Sequence, residues 1–240
     1  MKSKLFILFI LVQTIACSMF GQLTQGKIVY ERKTNLYKKF KDDNVTDWIK
    51  ERDKIKIDYF ELLFNDSLSL FRPQESELKE TMWWATEKNV VYQNFNIDSR
   101  FVIKKIWGEP LNILDTLYDR KWKITESKRV ICGYNCRKAI WQYNDSVRIY
   151  AWYCDDIIPS VGPESFYGLP GAILGLASED GGIIYFAKSV ERIDIKTTEI
   201  TKPKTKDKVY TSQELKTKLE KEFGKEKWGK AMIKNTFGYW

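Results

Sequence analysis

Short hydrophobic segments rich in Val, Ile, Tyr, Phe and Trp recur along the chain from Gly26 onward, and polar turns separate them. This pattern is typical of antiparallel β-strands. The turn at Asn65-Asp66 consists of residues that tolerate positive φ angles, so it predicts a hairpin between the segments on either side. The predicted strands span residues 26–35, 60–64, 67–71, 90–94, 101–107 and 121–127.

Two further hairpins are predicted in the second half of the chain. The first spans residues 129–155, with a turn near residues 144–146. The second joins residues 172–177 to residues 183–190 through the turn Asp180-Gly181-Gly182. An irregular loop over residues 156–171 connects the two hairpins and contains three of the six prolines.

The hydrophobic period changes near the C-terminus from that of a strand to that of a helix. Thr211 and Glu214 form the sequence pattern of a capping box, and Leu215 and Leu219 then fall on one helical face. A helix over residues 212–223 is therefore predicted, with a further helical turn after the glycine that follows it.

These patterns predict an α+β, β-rich fold: an antiparallel meander sheet, with a half-barrel as one form of it, and a C-terminal helix. Residues 22–240 are expected to form one domain that ends in a basic helical segment over about residues 203–240. The net charge of +8 is concentrated there, since residues 201–240 carry 11 lysines and 5 acidic residues. Residues 22–200 hold 27 basic and 27 acidic residues, so no nucleic-acid partner is expected.

The N-terminus has the order of charged and apolar residues that is typical of a secretory signal. Lys2 and Lys4 precede an apolar stretch that runs to Ile15, and small or polar residues follow it. The stretch is shorter than the roughly 20 residues of a membrane-spanning helix, so no transmembrane helix is predicted. We expect residues 1–21 to be removed before Gln22 and the protein to be exported, to the periplasm or the outer membrane.

Two other ways of processing the N-terminus stay open. Ala16 and Ser18 also suit a signal cleavage site. Residues 14–17, Thr-Ile-Ala-Cys, are similar to a lipobox, which would make Cys17 a lipidated first residue that tethers the protein to a membrane. Because Thr14 stands where a lipobox usually has leucine, cleavage before Gln22 is preferred.

The sequence contains no histidine, which excludes several classes of site. Neither a Ser-His-Asp triad nor a Cys-His pair can form, and histidine-ligated zinc sites are excluded as well. Any catalysis must use carboxylates, lysine or tyrosine, and neither a cofactor nor a metal is predicted.

Three cysteines, Cys132, Cys136 and Cys154, follow the predicted signal. If residues 144–146 form a three-residue turn, the residues that face each other across the hairpin have numbers that sum to 290. Cys136 then faces Cys154, and a disulfide between these two residues is predicted. Cys132 lies about 13 Å from Cys136 if the strand is extended, whereas a turn at Gly133 brings the two closer. A redox or metal role for this Cys-x3-Cys pattern is the alternative, but a closed zinc site would lack a ligand.

Residues 168–174, Gly-Leu-Pro-Gly-Ala-Ile-Leu, form a compact motif directly before the second hairpin. The motif resembles the one that names the GLPGLI family of exported bacterial proteins, with Ala172 in place of a leucine. The function of that family is uncharacterised, so the resemblance implies export and a fold but no catalytic residues. Cys154 stands where we expect threonine in the family, so the predicted disulfide is particular to this chain. The likeness extends to residues 60–67, 122–125 and 131–139.

The loop over residues 156–171 combines residues that restrict the backbone with residues that free it. Pro163 and Pro170 fix φ, while the glycines permit conformations that other residues resist, so a rigid loop is expected. One interpretation is a crossover that buries Leu169 in the core. The other is a lip over a ligand groove, with Trp152, Phe166 and Tyr167 as apolar contacts. The candidate lip comprises Trp152, Pro159, Gly162, Pro163, Phe166, Tyr167, Gly168, Leu169, Pro170 and Gly171.

Three functions are compatible with these features. The leading hypothesis is a non-enzymatic binding or accessory protein of the cell envelope, which holds an apolar ligand or an envelope partner. The alternative is a carboxylate-dependent glycan hydrolase that uses Asp155, Asp156 and Glu164. Adjacent residues of a strand point to opposite faces, so Asp155 and Asp156 are poorly placed to cooperate. A structural component of an outer-membrane assembly is the third hypothesis.

Overall fold

The computed structural model describes residues 21–41, 44–75, 81–106 and 108–238. Within these residues, twelve strands form one sheet. The strands are β1 (Gly26–Asn35), β2 (Ile55–Phe64), β3 (Leu68–Pro73), β4 (Val90–Asn94), β5 (Ser99–Ile106), β6 (Glu109–Asp115), β7 (Trp122–Ile131), β8 (Tyr134–Asn144), β9 (Val147–Cys154), β10 (Ala172–Ser178), β11 (Ile183–Glu191) and β12 (Val209–Tyr210).

Two antiparallel meanders make up most of the sheet. Strands β1 to β6 pair in sequence order, as do β7 to β11, and antiparallel pairing of β1 with β11 joins the two halves. β12 adds a short parallel strand beside β6. In the described residues the two edge strands, β12 and β7, do not pair with each other, so the sheet is open. The predicted β-rich fold with an antiparallel meander is confirmed.

Three α-helices accompany the sheet in the described part of the chain: α1 (Leu36–Lys39), α2 (Ser212–Phe223) and α3 (Lys227–Thr236). Helix α2 has the predicted bounds and the predicted capping box, in which the Glu214 backbone N–H donates to Thr211 Oγ1 at 3.2 Å. Leu215 and Leu219 are buried in the main core. The C-terminal helices are therefore present where the change of hydrophobic period predicts them.

The structure does not describe the N-terminal segment on which the export prediction depends. The predicted signal sequence and the candidate lipidation site at Cys17 lie outside the described residues, which begin at Gly21. In the part of the chain that is described, no helix is both long and apolar enough to span a membrane.

The β8–β9 hairpin has the register that its turn predicts. Arg137 pairs with Tyr153, and Ile140 pairs with Tyr150. Residues 129–131, which the sequence placed in this hairpin, belong instead to β7, and β7 reaches β8 through a turn at Cys132-Gly133 with φ angles of 51° and 83°. A turn at Gly133 was one of the two alternatives for the Cys-x3-Cys pattern, and it is present in the structure; Cys132 also takes a positive φ, which is uncommon for cysteine.

The main hydrophobic core lies on one face of the sheet, called the inner face below. Tyr30, Phe60, Phe71 and Tyr185 form a cluster of aromatic rings on it, and Phe60 stacks on Phe71 with ring centroids 4.9 Å apart. Buried rings of this size dominate core energetics, at about 25 cal/mol for each Å² of apolar area removed from water. The Tyr30 hydroxyl donates to the backbone oxygen of Ile173 at 2.7 Å, so its polar atom is satisfied inside the core.

The loop between β9 and β10 packs on the inner face and is held there by its own backbone. The Ile173 N–H donates to the Val161 carbonyl oxygen at 2.8 Å. Gly171 has a φ of 131°, and a Cβ atom at this position would lie 2.0 Å from the last carbonyl oxygen of β9, so only glycine fits. Leu169 is buried in the main core, which the crossover interpretation expects.

The cysteines require a correction, because Cys132, Cys136 and Cys154 are all free thiols and the predicted Cys136–Cys154 disulfide is not formed. Each of the two buried thiols contacts an oxygen near its own position. Cys136 Sγ lies 3.6 Å from the Tyr134 carbonyl oxygen, and Cys154 Sγ lies 3.6 Å from Asp156 Oδ2. Burial raises the pKa of Cys136 to about 12 and that of Cys154 to about 11, so both remain protonated at neutral pH.

Thiol counting without reductant tests this arrangement in the chain that begins at Gln22. Exposed Cys132 is expected to react with a maleimide in the native protein, and all three thiols are expected to react in guanidinium chloride. Cys132→Ser is the control and should remove the native signal alone. A single reactive thiol in the unfolded, unreduced protein would mean that Cys136 and Cys154 are bridged after all.

Candidate functional site

A cavity of about 320 Å³ lies on the inner face, between the first meander, the loop after β9 and the C-terminal helices. This volume is near the lower end of the range for ligand sites, about 300–1,000 Å³. Parts of the chain that are far apart in sequence meet here. The polar lining includes Asn89, Arg100, Lys104, Arg120, Glu164 and Ser165.

Strand alternation brings two cations of β5 to the cavity. Arg100, Val102 and Lys104 occupy alternate positions, so all three side chains lie on the inner face. Arg100 lies 3.6 Å from the carboxylate of Asp115, its cross-strand partner on β6. Lys104 Nζ donates to the Thr236 carbonyl oxygen at 2.6 Å, which ties the end of α3 to the wall of the cavity.

Arg120 is only 6% exposed and is held by aromatic rings and the loop. Its guanidinium carbon lies 4.1 Å from the centroid of the Phe166 ring and 5.1 Å from that of Trp141. Nη1 donates to the Ser165 carbonyl oxygen at 2.9 Å, whereas Nε has no hydrogen-bond partner. Among the described residues, no carboxylate forms an ion pair with Arg120.

Three of the four cations that line the cavity, Arg100, Lys104 and Arg120, are less easily charged than they are in water. Burial, followed by repulsion from Arg100, lowers the pKa of Arg120 to about 10. Burial also lowers the pKa of Arg100 and that of Lys104, although Asp115 opposes the first change and Glu164 opposes the second. The lining holds four cations, Arg100, Lys104, Arg120 and Lys216, and one carboxylate, Glu164, so positive charge is in excess among the described residues of the cavity.

Glu164 brings a buried carboxylate to the cavity from the loop. The residue is 3% exposed and has a φ of 54°, a conformation that is unusual for a side chain other than glycine. Its Oε1 accepts a hydrogen bond from the Tyr185 hydroxyl at 2.7 Å, and its Oε2 accepts one from Asn89 Nδ2 at 3.0 Å. Burial and the Glu164 charge raise the pKa of Tyr185, so this hydroxyl remains a donor.

A second buried charge cluster continues from Tyr185. Arg32 Nη1 lies 3.4 Å from the Tyr185 hydroxyl, and its Nη2 lies 2.7 Å from Asp58 Oδ2. Lys56 Nζ lies 3.2 Å from Asp58 Oδ1. Burial raises the pKa of Asp58, but the Arg32 charge, its hydrogen bond and Lys56 together outweigh burial and lower this pKa to about 2. Asp58 is thus ionised across the neutral range.

The structure places most of the candidate lip within the core or at the end of the loop that is remote from the cavity lining. Phe166 is buried beneath Arg120, and Tyr167 packs on Phe95 with ring centroids 5.8 Å apart. Gly168 is exposed, and its N–H donates to Ser160 Oγ at 2.7 Å. Pro159, Gly162, Pro163, Leu169 and Gly171 are buried, and Pro170 is exposed. Between these residues, Glu164 and Ser165 supply the loop's contribution to the cavity lining.

Trp152 lies on the opposite face of the sheet from Phe166. Its strand neighbours Ala151 and Tyr153 are buried, and Ala151 pairs with Ala139 on the inner face, so alternation turns Trp152 outward. Its ring lies 5.6 Å from that of Phe186. Trp152 and Phe166 therefore do not line the same groove.

The carboxylates of the hydrolase hypothesis are not brought together. Asp155 and Asp156 are both exposed at the end of β9, whereas Glu164 is buried. Among the described residues that line the cavity, Glu164 is the one carboxylate. Within the described ranges, no three Cys, Asp or Glu side chains are arranged as a metal site.

Sequence reasoning missed the cations of the cavity. A signal for two of them was present, because Lys104 shares a face with Val102 in the strand predicted over residues 101–107, and Arg100, directly before that strand, continues the same alternation. Arg120 carries no such signal. It lies between β6 and β7 and reaches the cavity through packing on the loop residue Phe166.

Comparison with known proteins supports the fold and leaves the activity open. Residues 141–175 match a family described as a protein of unknown function (Porph_ging). Similar solved structures include those of PNGF-II in space groups P21 and C2, with 18% sequence identity and TM-scores of 0.54 and 0.53. The match covers 78% of this chain and 32% and 30% of those chains, so this chain spans about a third of their length. At this identity the likeness shows the fold alone. No curated protein matches the sequence.

Asp58→Asn is expected to make the protein less sensitive to acid. The pKa of Asp58 is about 2 in the folded protein and about 3.9 in an unfolded chain, so its ionised form stabilises the fold above about pH 4. This contribution, on the order of 2 kcal/mol, is lost as the pH falls from about 4 to about 2. Urea unfolding at the two ends of that window should show a smaller change in the free energy of unfolding for the variant than for the wild type.

Asp66→Asn, at an exposed position in a turn, is the matched control and should follow the wild type. At neutral pH, Asp58→Asn is expected to lower the free energy of unfolding by about 3–5 kcal/mol, because it leaves the Arg32 guanidinium buried without its counter-charge. Equal acid sensitivity in the wild type and Asp58→Asn would contradict the assignment of the low pKa to this pair.

Proposed function

We propose that this protein is an exported, non-enzymatic binding protein that holds a small organic anion in the cavity beside Arg120. One observation carries the proposal: Arg120 is 6% exposed, and no carboxylate of the described residues pairs with it. A buried charge without a counter-charge destabilises a fold unless something else compensates it. An anionic ligand is the compensation that the cavity would accept.

The charges of the cavity favour an anion over a purely apolar ligand. Arg100, Lys104 and Arg120 would all lose hydration to an apolar molecule without gaining a partner. A ligand carboxylate, by contrast, accepts charge-assisted hydrogen bonds, which are the stronger ones in proteins. Arg120 lines the cavity, and its Nε has no hydrogen-bond partner, so the guanidinium has donor capacity left.

The same lining favours binding over hydrolysis. Glycoside hydrolysis commonly needs two carboxyl groups on either side of the scissile bond, about 5–9.5 Å apart. Glu164 lines the cavity, whereas Asp155 and Asp156 lie exposed elsewhere. Both Glu164 oxygens already accept hydrogen bonds from protein donors, which suits a fixed recognition group.

The proposal that the protein is exported, and that it is similar to a known family, rests on the sequence. The charged and apolar order of residues 1–21 supports a cleaved signal, and the GLPGLI-like motif at residues 168–174 falls within the residues that match a family of unknown function. Intact mass of protein secreted by a bacterial host should correspond to a chain that begins at Gln22. Retention of the full N-terminus in the recovered protein would contradict export, and a lipid on Cys17 would replace cleavage before Gln22 with lipobox processing.

Arg120→Met is expected to weaken binding of a small aromatic anion at least about tenfold, because it removes the charge-assisted hydrogen bonds. The probe is 2-naphthoate, titrated by fluorescence, with the neutral 2-naphthalenemethanol as its uncharged counterpart. Arg148→Met is the matched control, since Arg148 lies on the surface and pairs with Glu179. It should bind the probe as the wild type does.

Two outcomes would reject the proposal. One is equal affinity of the wild type for 2-naphthoate and for the neutral alcohol, and the other is unchanged binding in an Arg120→Met variant that retains its thermal transition. Lys104→Met serves as a second variant if Arg120→Met fails to fold, and it is also expected to weaken binding of the anion selectively.

A further inference from the structure

We infer that the anion is an acidic sugar, a six-membered sugar ring that carries one carboxylate. This inference rests on the proposed function, because it concerns the same cavity. It combines three independent properties of the lining: its net charge, its unpaired hydrogen-bonding atoms and its aromatic surface.

The charge balance of the cavity suits a single negative charge. Arg100 is paired with Asp115 at 3.6 Å, and Lys216 lies 4.0 Å from Glu220. Lys104 lies in the field of Glu164, which opposes the loss of its charge. Of the four cations that line the cavity, Arg120 is then left uncompensated. A carboxylate brings one negative charge at neutral pH, whereas a phosphate monoester brings close to two.

Hydrogen-bonding groups of the cavity suit a ligand with hydroxyl groups as well as a carboxylate. Asn89 is 6% exposed and lines the cavity, and its buried Oδ1 lacks a hydrogen-bond partner, so it is an acceptor with unused capacity. Glu164 accepts one hydrogen bond at each oxygen, and a carboxylate has capacity for more. Arg120 Nε supplies the opposite need, an unpaired donor. Hydroxyl groups of the sugar would donate to Asn89 and Glu164, and the carboxylate of the sugar would accept from Arg120.

Aromatic rings offer the remaining surface that a sugar requires. Trp141, Tyr118 and Tyr143 all line the cavity, and the ring centroids of Tyr118 and Tyr143 lie 6.0 and 5.4 Å from that of Trp141. Tyr118 and Tyr143 are 49% and 41% exposed, so part of each side chain is open to an incoming molecule. The apolar C–H face of a pyranose packs on such rings, and few precisely placed polar groups then fix its orientation.

The cavity also leaves room for the rest of a glycoside. A shallower groove of about 540 Å³ adjoins it and shares Tyr143, Lys216 and Phe237 with its lining. Lys230 and Lys234 of α3 line this groove. The lysine-rich C-terminal segment would therefore lie along the path of any further acidic units attached to the bound sugar.

Calorimetric titration of the purified protein with four matched ligands tests the inference. Methyl β-D-glucuronide carries both the ring hydroxyls and the carboxylate. Methyl β-D-glucoside lacks the charge, cyclohexanecarboxylate lacks the hydroxyls, and glucose 6-phosphate carries a larger charge. We expect the glucuronide to bind at least about tenfold more tightly than each of the other three.

The outcomes separate this inference from the proposed function. If cyclohexanecarboxylate bound as tightly as the glucuronide, the inference that the ligand is a sugar would be wrong, although the cavity would still bind an anion. If glucose 6-phosphate bound more tightly than the glucuronide, the inference that the ligand carries a single charge would be wrong. Stronger binding of the neutral glucoside would overturn the inference and count against the anion as well. If none of the four binds and 2-naphthoate does, the acidic sugar is rejected alone; if 2-naphthoate also fails, the proposed function falls with it.

Asn89→Leu provides an internal check on the role of the hydroxyl groups. It should reduce the preference for the glucuronide over cyclohexanecarboxylate about tenfold or more, because one hydroxyl loses its acceptor. A cooperative thermal transition followed by circular dichroism shows that this variant is folded, and Asn96→Leu, at an exposed position after β4, is the matched control. An unchanged preference in a folded Asn89→Leu variant would contradict recognition of hydroxyls at this position.

Discussion

A buried carboxylate holds the functional parts of the molecule in one arrangement. Glu164 joins the loop to β11 through Tyr185 and to the start of β4 through Asn89. A polar group away from water is tolerated only when it is hydrogen-bonded, so these two partners fix where the loop lies against the sheet. Ser165 follows directly and accepts the hydrogen bond of Arg120, so the position of that cation depends on the same contact.

The two buried charge clusters are built from the same residue types, but they differ in whether their cations are paired with carboxylates. Around Asp58, cations and carboxylate contact each other directly, and the result is a low pKa that stabilises the folded state. Around Arg120, cations outnumber the acids and the pKa is lowered by burial. Perturbed groups of the second kind are typical of functional sites, where stability is given up for recognition.

Local patterns predicted local structure well and the site poorly. The bounds of β1, β4 and α2 follow from alternation and a capping box, which depend on neighbouring residues. The joining of the two meanders by β1 and β11 depends on contacts across the whole chain, as does the cavity, and no short pattern encodes them. The register of β8 and β9 was also predictable, yet the disulfide drawn from it was not formed, because register fixes backbone positions and leaves the direction of each thiol to its own contacts.

The pairing of β1 with β11 also determines when the molecule can fold. Lys27 in β1 pairs with Glu191 in β11, so one side of the central strand β1 has no partner until the chain has been synthesised as far as β11. Contacts between such distant residues form slowly, because a long loop must close before they contribute free energy. The ring cluster of Tyr30 and Tyr185 spans this same junction. The core and the cavity are therefore completed only after β11 and the C-terminal helices have been made.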